Sequence, residues 1–374
     1  MRREPSVPTA ALDAIRAPFA AAGAVGVDAP MLQPLGLLLD LAGEDMRARL
    51  FVVQAEGDAE ACLRPDFTVA IARQHLDLGS GAGRYVYEGP AFRAAPGGAQ
   101  PEEFQQIGLE RFGDTAVAAA DAETAALAWA AAAAGGRTDL ALWLGDIALF
   151  SAFVEDMGLP AALAARLKRA AGRPRLLQGE LARAGDAGGD AGGGELAALL
   201  AGLSQDQAAA LLREVWALAG IQPVGGRGPA EIAQRLIRRA EAARAPALSV
   251  EQADSVRRFL AISDTPSAAL AQVKALANGK APATAAALAA WADRLVRLAA
   301  DVPAERLRFD AALGHAFDYY DGLTFEIRSA ALSAERPIAV GGRYDGLLAR
   351  LGGAATPAVG CMVRPWRAFA GGES

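Results

Sequence analysis

With 374 residues the chain can bury one large domain and a smaller one. A formal charge of −6 lacks the broad positive field expected of a dedicated RNA binder, and although 53% of residues are hydrophobic, no stretch reaches the roughly 20 unbroken apolar residues of a membrane span. Two cysteines and two histidines, each pair far apart, speak against a disulfide framework or a resident metal; Met1-Arg2-Arg3-Glu4-Pro5 carries no apolar secretory core, so a cytoplasmic chain without a cofactor is expected.

In chain order, Leu12, Ile15 and Phe19 recur at helical spacing and Gly23 ends the run, which predicts a helix over 8–23. Residues 26–32 read as a strand closed by a proline turn. Strands are expected over 50–54, 85–92 and 103–112, with a helix beginning near Pro65 among them. An Ala-rich helix over 115–134, its apolar run broken by Asp121, Glu123 and Thr124, precedes a strand over 140–144. From 161 to 300 the pattern is almost wholly helical. Ile232, Leu236 and Ile237 form one apolar stripe, and Ser249 and Gln252 have capping-box spacing ahead of Val256, Phe259 and Leu260. Residues 184–194 read as a Gly/Ala/Asp-rich loop, and strand signals return over 307–309. The expected class is α+β: an antiparallel sheet flanked by helices begun in residues 1–160, a mainly helical insert over 161–304, and strands over 305–374 that complete the sheet.

Four segments carry polar chemistry. In Phe104-Gln105-Gln106-Ile107-Gly108-Leu109-Glu110, strand alternation puts Gln106, Gly108 and Glu110 on one face, with a gap at the glycine that a ligand can enter. The bland alternative is a wet sheet face. Tyr319-Tyr320 is followed by Asp321-Gly322, which reads as a hairpin turn requiring positive φ. Beyond it Thr324 and Glu326 alternate against Leu323, Phe325 and Ile327, so Asp318, Tyr320 and Thr324 or Glu326 can meet on one surface; equally, the tyrosines can be core aromatics. Gly341-Gly342-Arg343-Tyr344-Asp345-Gly346 offers a turn at a strand–helix junction. Asp66 and Thr68 fall at a helix start, where capping alone accounts for a carboxylate. His75 reads as an ordinary surface or helix residue, and Cys62 and Cys361 as small core fillers.

In this order the segments resemble histidyl-tRNA synthetases. Leu63-Arg64-Pro65-Asp66-Phe67-Thr68 is similar to their Leu-Arg-Pro-Glu-x-Thr element, and Tyr87-Glu88-Gly89-Pro90-Ala91-Phe92-Arg93 with the Phe104–Glu110 segment is similar to class II motif 2. Phe317-Asp318-Tyr319-Tyr320 resembles the histidine-specific loop, and Ala358 to Arg367 resembles a degraded motif 3. The resemblance implies a class II synthetase-like core and a histidine pocket. In it Asp66 and Thr68 would meet the α-ammonium, Gln106 would support the amino-acid backbone, Glu110 and Tyr320 would address the imidazole, Tyr319 and Tyr344 would close the pocket, and Arg93 would be a further histidine-binding residue.

The activation machinery departs from the pattern. His315 stands where the family has an arginine, and Ala94-Ala95-Pro96-Gly97-Gly98 replaces a nucleotide-gripping segment. Arg364, followed by Pro365 and Trp366, takes the place of a motif 3 glycine, although Arg93 and Arg367 remain; no anticodon-binding domain is expected after it. Histidine recognition without activation is similar to the pattern of the synthetase-like regulatory subunits of ATP phosphoribosyltransferase. That likeness implies no catalytic residue, a short-form catalytic partner, L-histidine as ligand, and a dimer within a hetero-oligomer. It implies no tRNA. The competing reading is a divergent or minimal adenylate-forming enzyme, which the retained Arg93 and Arg367 motivate.

Overall fold

The computed structural model describes residues 2–54, 60–79, 81–95, 100–185, 203, 205–219, 246–277, 281–314 and 319–372. Two compact units emerge: a larger one of Met1–Asp156, Ala170–Pro174 and Arg257–Ser374, and a smaller one of Met157–Arg169 and Arg175–Val256.

Among the described residues the larger unit is organised by twelve strands: β1 (Val25–Gly26), β2 (Leu32–Pro34), β3 (Val52–Gln54), β4 (Glu60–Leu63), β5 (Gly83–Phe92), β6 (Glu103–Phe112), β7 (Leu140–Asp146), β8 (Ser263–Asp264), β9 (Leu307–Asp310), β10 (Leu323–Ser329), β11 (Ala339–Arg343) and β12 (Ala358–Val363). Nine form one sheet in the order β1-β5-β6-β12-β11-β10-β7-β9-β8, and β2-β4-β3 form a small one. The α+β class holds, but the large sheet is mixed. Its central pairs are antiparallel, whereas β1–β5 and β7–β9 are parallel. A parallel pair demands a crossover rather than a hairpin, and the helices between β7 and β9 supply one.

Helices α1 (Thr9–Ala21), α2 (Leu35–Ala42), α3 (Thr68–Asp77), α4 (Val117–Ala134) and α5 (Ile147–Asp156) cover this framework. The alanines of α4 let it lie close on β10, β11 and β12; Ala125, Ala128, Ala131 and Ala132 are fully buried. Arg16 of α1 clamps Glu88 of β5 through two bonds of 2.6 Å. With both faces covered, β10 is buried along nearly its whole length, so its alternating sequence does not produce a wet face.

The helices Pro266–Leu276 and Pro282–Leu298 fall inside the stretch that the sequence pattern assigns to the insert, yet they belong to the larger unit. Buried charges hold the second of them. Trp291 donates its indole N–H to Asp146 at 2.7 Å, and Arg294 meets Asp121 of α4 at 2.7 Å. In the smaller unit Leu163, Leu167, Leu177, Leu181 and Leu212 are buried, and Arg166 pairs with Glu180 at 2.7 Å. The stripe at Ile232, Leu236 and Ile237 and residues 186–194 lie outside the described residues.

The capping box forms as its spacing predicts: Ser249 N–H donates to Gln252 at 2.9 Å and Gln252 N–H donates to Ser249 Oγ at 3.1 Å. Ser249→Ala therefore lowers stability by about 1 kcal/mol, read as a shift of the denaturation midpoint. An unchanged midpoint would mean that this helix start adds nothing to the folded state.

Asp321-Gly322 does not form a hairpin. Strand β9 pairs with β7 and β8, while β10 pairs with β7 and β11, and Gly322 has no positive φ. The Asp321 carboxylate is committed elsewhere, to the N–H groups of Asp345 and Gly346. The helix expected near Pro65 starts at Thr68, with Phe67 at its N-cap and no side-chain capping bond. His75 is not a surface residue: it is buried in α3, stacked on Phe112 at 4.5 Å, with its Nδ1 2.9 Å from the Tyr85 hydroxyl.

Candidate functional site

A cavity of about 440 Å³ opens in the larger unit over the middle of the big sheet. Its floor comes from β6 and β12. Alternation along β6 sends Phe104 and Glu110 into the cavity, and Gly360 of β12, the register partner of Glu110, lies beside that carboxylate. The wall comes from the segment that enters α3, carrying Asp66 and Thr68, and from the segment before β10, carrying Tyr319 and Tyr320.

Glu110 is almost fully buried. Thr68 Oγ1 donates to its Oε1 at 2.7 Å, and the Tyr344 hydroxyl donates to its Oε2. Burial pushes the carboxyl up to about 8, against the opposing pull of those hydroxyls, because no described cation pairs with it. Asp66 is buried too, and desolvation raises its carboxyl while Arg93 opposes the shift. The Tyr319 hydroxyl donates to Asp66 Oδ2 at 3.2 Å, but Asp66 Oδ1 has no hydrogen-bond partner among the described residues. A buried carboxylate oxygen without a donor is costly unless a ligand supplies one.

The three phenols form a cluster. Ring centroids lie 4.8 Å apart for Tyr319–Tyr320, 5.6 Å for Tyr319–Tyr344 and 6.0 Å for Tyr320–Tyr344. Tyr320 rests over Gly342, where a Cβ would stand 2.9 Å from its Cδ1. Arg49, Arg93, Arg364 and Arg367 also stand in the cavity wall, Arg93 close to Asp66. Arg93 donates to the Pro65 carbonyl at 2.9 Å. Arg364 lies 3.9 Å above the Phe104 ring and pairs with Glu4 at 2.5 Å; burial brings its guanidinium down to about 10. Burial and then the neighbouring Arg364 bring Arg367 down to about 8, and it donates to the Pro337 carbonyl at 3.0 Å. The cavity thus combines buried carboxyls and phenols with several guanidinium groups, which suits a zwitterion.

Of the residues singled out from sequence, Asp66, Thr68, Arg93, Glu110, Tyr319 and Tyr320 line this one cavity. Tyr344 does not line it, and its hydroxyl donates to Glu110. Gln106 is fully buried on the same face of β6 but does not line the cavity, and neither of its amide atoms has a partner among the described residues. Thr324 is directed to the Leu313 carbonyl at 3.2 Å, whereas Glu326 reaches the cavity. His315, Phe317, Asp318 and residues 96–98 lie outside the described residues.

Arg49, Gly360, Cys361 and Met362 line the cavity without having been marked as site residues. Gly360 carries a signal in retrospect, since a glycine opposite a buried glutamate on a neighbouring strand leaves room for the carboxylate. Both cysteines are free and buried. Among the described residues there is no group of three or more His, Cys, Asp or Glu side chains able to hold a metal, and no helix long and apolar enough to cross a membrane.

The family model described as Histidyl-tRNA synthetase matches residues 8–211 and 229–366. The chain is 39% identical over 356 residues to the ATP phosphoribosyltransferase regulatory subunit of Mesorhizobium japonicum, covering 92% of each. It is 36% identical over 344 residues to the protein of the same name from Brucella anthropi, covering 90% of each. Its fold is similar to that of an ATP phosphoribosyltransferase regulatory subunit/histidyl-tRNA synthetase from Bacillus halodurans, with a TM-score of 0.64, 22% identity, and coverage of 97% of this chain and 78% of that one. It is also similar to histidyl-tRNA synthetase from a Nostoc species, with a TM-score of 0.60, 15% identity, and coverage of 97% and 74%.

Proposed function

The chain belongs to the family of ATP phosphoribosyltransferase regulatory subunits, built on the histidyl-tRNA synthetase fold, and on that footing we propose that its cavity binds free L-histidine and reports it to a catalytic partner. As a regulatory subunit it is not itself the catalyst. The observation that carries the ligand reading is the pair of buried carboxyls in the cavity wall, which among the described residues leaves Glu110 without a cation and one Asp66 oxygen without a donor.

The α-ammonium supplies Asp66 Oδ1 with its missing donor, beside Thr68. The α-carboxylate points toward Arg93. The imidazole lies between Glu110 and Tyr320 under Tyr319, with Tyr344 holding Glu110 in place. No catalytic role falls to any of these groups, and no cofactor or metal is required.

The partner is the short-form catalytic subunit that opens histidine biosynthesis in the cytoplasm, active only with this chain. Histidine binds one state of the assembly better and shifts its population, a coupling of about 1–3 kcal/mol. The net charge of −6 supports a protein partner over tRNA. Support for self-association comes from exposed Val25, Met31, Leu32 and Val52 on and beside the short strands, with β1 an open edge of the large sheet. Light scattering of the purified chain at the mass of a monomer would rule that dimer out.

Calorimetry with L-histidine tests the pocket. Saturable binding that Tyr320→Ala weakens by about 1.5–3 kcal/mol, with the fold retained, is the expected result. No heat with the wild-type protein overturns the pocket assignment. Activity of the catalytic subunit with and without this chain tests the partnership separately, and full activity of the catalytic subunit alone would overturn it.

A further inference from the structure

Tyr319 and Tyr320 of the cavity wall and Tyr344, which contacts Glu110, come from two separate segments, and something must hold those segments in register. Strands β10 and β11 pair from Ile327↔Ala339 to Thr324↔Gly342. The backbone continues the pairing one step, as the N–H groups of Asp321 and Gly322 donate to the Arg343 carbonyl at 3.0 and 3.4 Å. Beyond that point the chains part. One leads back through Tyr320 and Tyr319, and the other goes on through Tyr344 into the short helix Leu347–Arg350.

The Asp321 carboxylate spans the gap with both oxygens: Oδ1 accepts the N–H of Asp345 at 3.0 Å and Oδ2 that of Gly346 at 2.7 Å. Asp345 extends the tie to the start of β12, since its Oδ1 accepts from Arg343 Nη1 at 2.7 Å and from the N–H of Ala358 at 2.8 Å. The Tyr344 N–H in turn donates to the Ala358 carbonyl at 2.8 Å.

We propose that Asp321 is a positioning residue for the ligand cavity: its carboxylate fixes the Tyr319–Tyr320 segment against the Tyr344 segment, so that Tyr319 and Tyr320 in the cavity wall keep register with the Glu110 carboxyl that Tyr344 contacts. Asp321 does not line the cavity and acts through the tyrosines. The ring contacts between the two segments are edge-on and individually weak, and they allow sliding that two charge-assisted bonds to fixed amides do not. Only a carboxylate meets both amides as acceptor. Asparagine keeps one acceptor and turns an N–H₂ toward the other amide, and alanine keeps none.

The role assigned to Asp321 rests on the histidine reading of the cavity, and the experiment separates the two. The wild-type chain, Asp321→Asn and Asp321→Ala are compared by calorimetry with L-histidine, by near-ultraviolet circular dichroism in the tyrosine band without ligand, and by thermal midpoint. The expected result is a histidine Kd raised about tenfold in Asp321→Ala and less in Asp321→Asn, with the ligand-free tyrosine band reduced in the same order. If Asp321→Ala fails to fold, Asp321→Asn decides on both readouts. Wild-type affinity in the variants, with histidine binding the parent, overturns the positioning role and leaves the pocket standing. If the parent does not bind histidine, the pocket reading falls, and an unchanged tyrosine band then overturns the tie as well.

Discussion

Glu110→Gln is expected to make the protein more stable at neutral pH while weakening its hold on histidine. Unfolded, the carboxyl titrates near its ordinary 4.5; in the folded chain burial pushes it up to about 8. Between those values the folded state keeps a proton that the unfolded chain has released. Stability therefore falls as pH rises through that window and stays lowered above it. Glutamine has no proton to lose, and the Thr68 and Tyr344 hydroxyls can donate to its carbonyl or accept from its N–H₂. At pH 7 the gain amounts to up to about 3 kcal/mol. Denaturant titrations at pH 5, 7 and 8.5 should converge at the low end and separate at the high end. Parallel curves for the two proteins would sink the argument. Histidine affinity should also drop, because Glu110 can give up its proton as the ligand binds and accept the ring N–H as a carboxylate, which the amide cannot do. A group kept at a cost to stability, whose removal also costs binding, is what a ligand site produces and a structural core does not.

How much of this was legible beforehand depends on the range of the interactions. Strand β6 occupies the residues its pattern predicts, and α4 lies within two residues of its expected start, because both are set by local periodicity. The convergence of Asp66, Thr68, Glu110, Tyr319 and Tyr320 was readable only through family resemblance, since periodicity alone left each with an ordinary structural role. Asp321-Gly322 misled because turn chemistry is local, whereas the amides that capture Asp321 lie 24 and 25 residues further on. The helix Pro282–Leu298 was recognisable as a helix, but not as part of the larger unit. Its anchor, Arg294 to Asp121, joins side chains 173 residues apart, and a helical stripe does not name the surface it will meet. Gln106 shows the converse limit: strand alternation placed it on the correct face, yet the position of the cavity along that face follows from the segments that cross over β6.

Two glycines on adjacent strands separate the geometry of the pocket from the geometry of the sheet. Neither Gly108 nor Gly360 has a positive φ, so alanine at either is limited by space alone. At Gly360 an added Cβ would overlap Glu110 Oε2 and stand 2.6 Å from the Tyr344 hydroxyl. Both neighbours are side-chain ends. Gly360→Ala should therefore displace the carboxylate, break its contact with Tyr344 and remove most histidine binding, at a stability cost of about 1–3 kcal/mol. At Gly108 the added Cβ would overlap the Tyr87 ring and the backbone carbonyl oxygen of Cys361, which is fixed in the β6–β12 ladder. That carbonyl can give way only by opening the sheet, so Gly108→Ala should cost more stability than Gly360→Ala and lower expression of folded protein. Chemical denaturation of both variants beside a histidine titration of Gly360→Ala distinguishes the two roles. If Gly360→Ala binds histidine like the parent, Glu110 does not need to lie against β12, and the ligand must meet this cavity in another way.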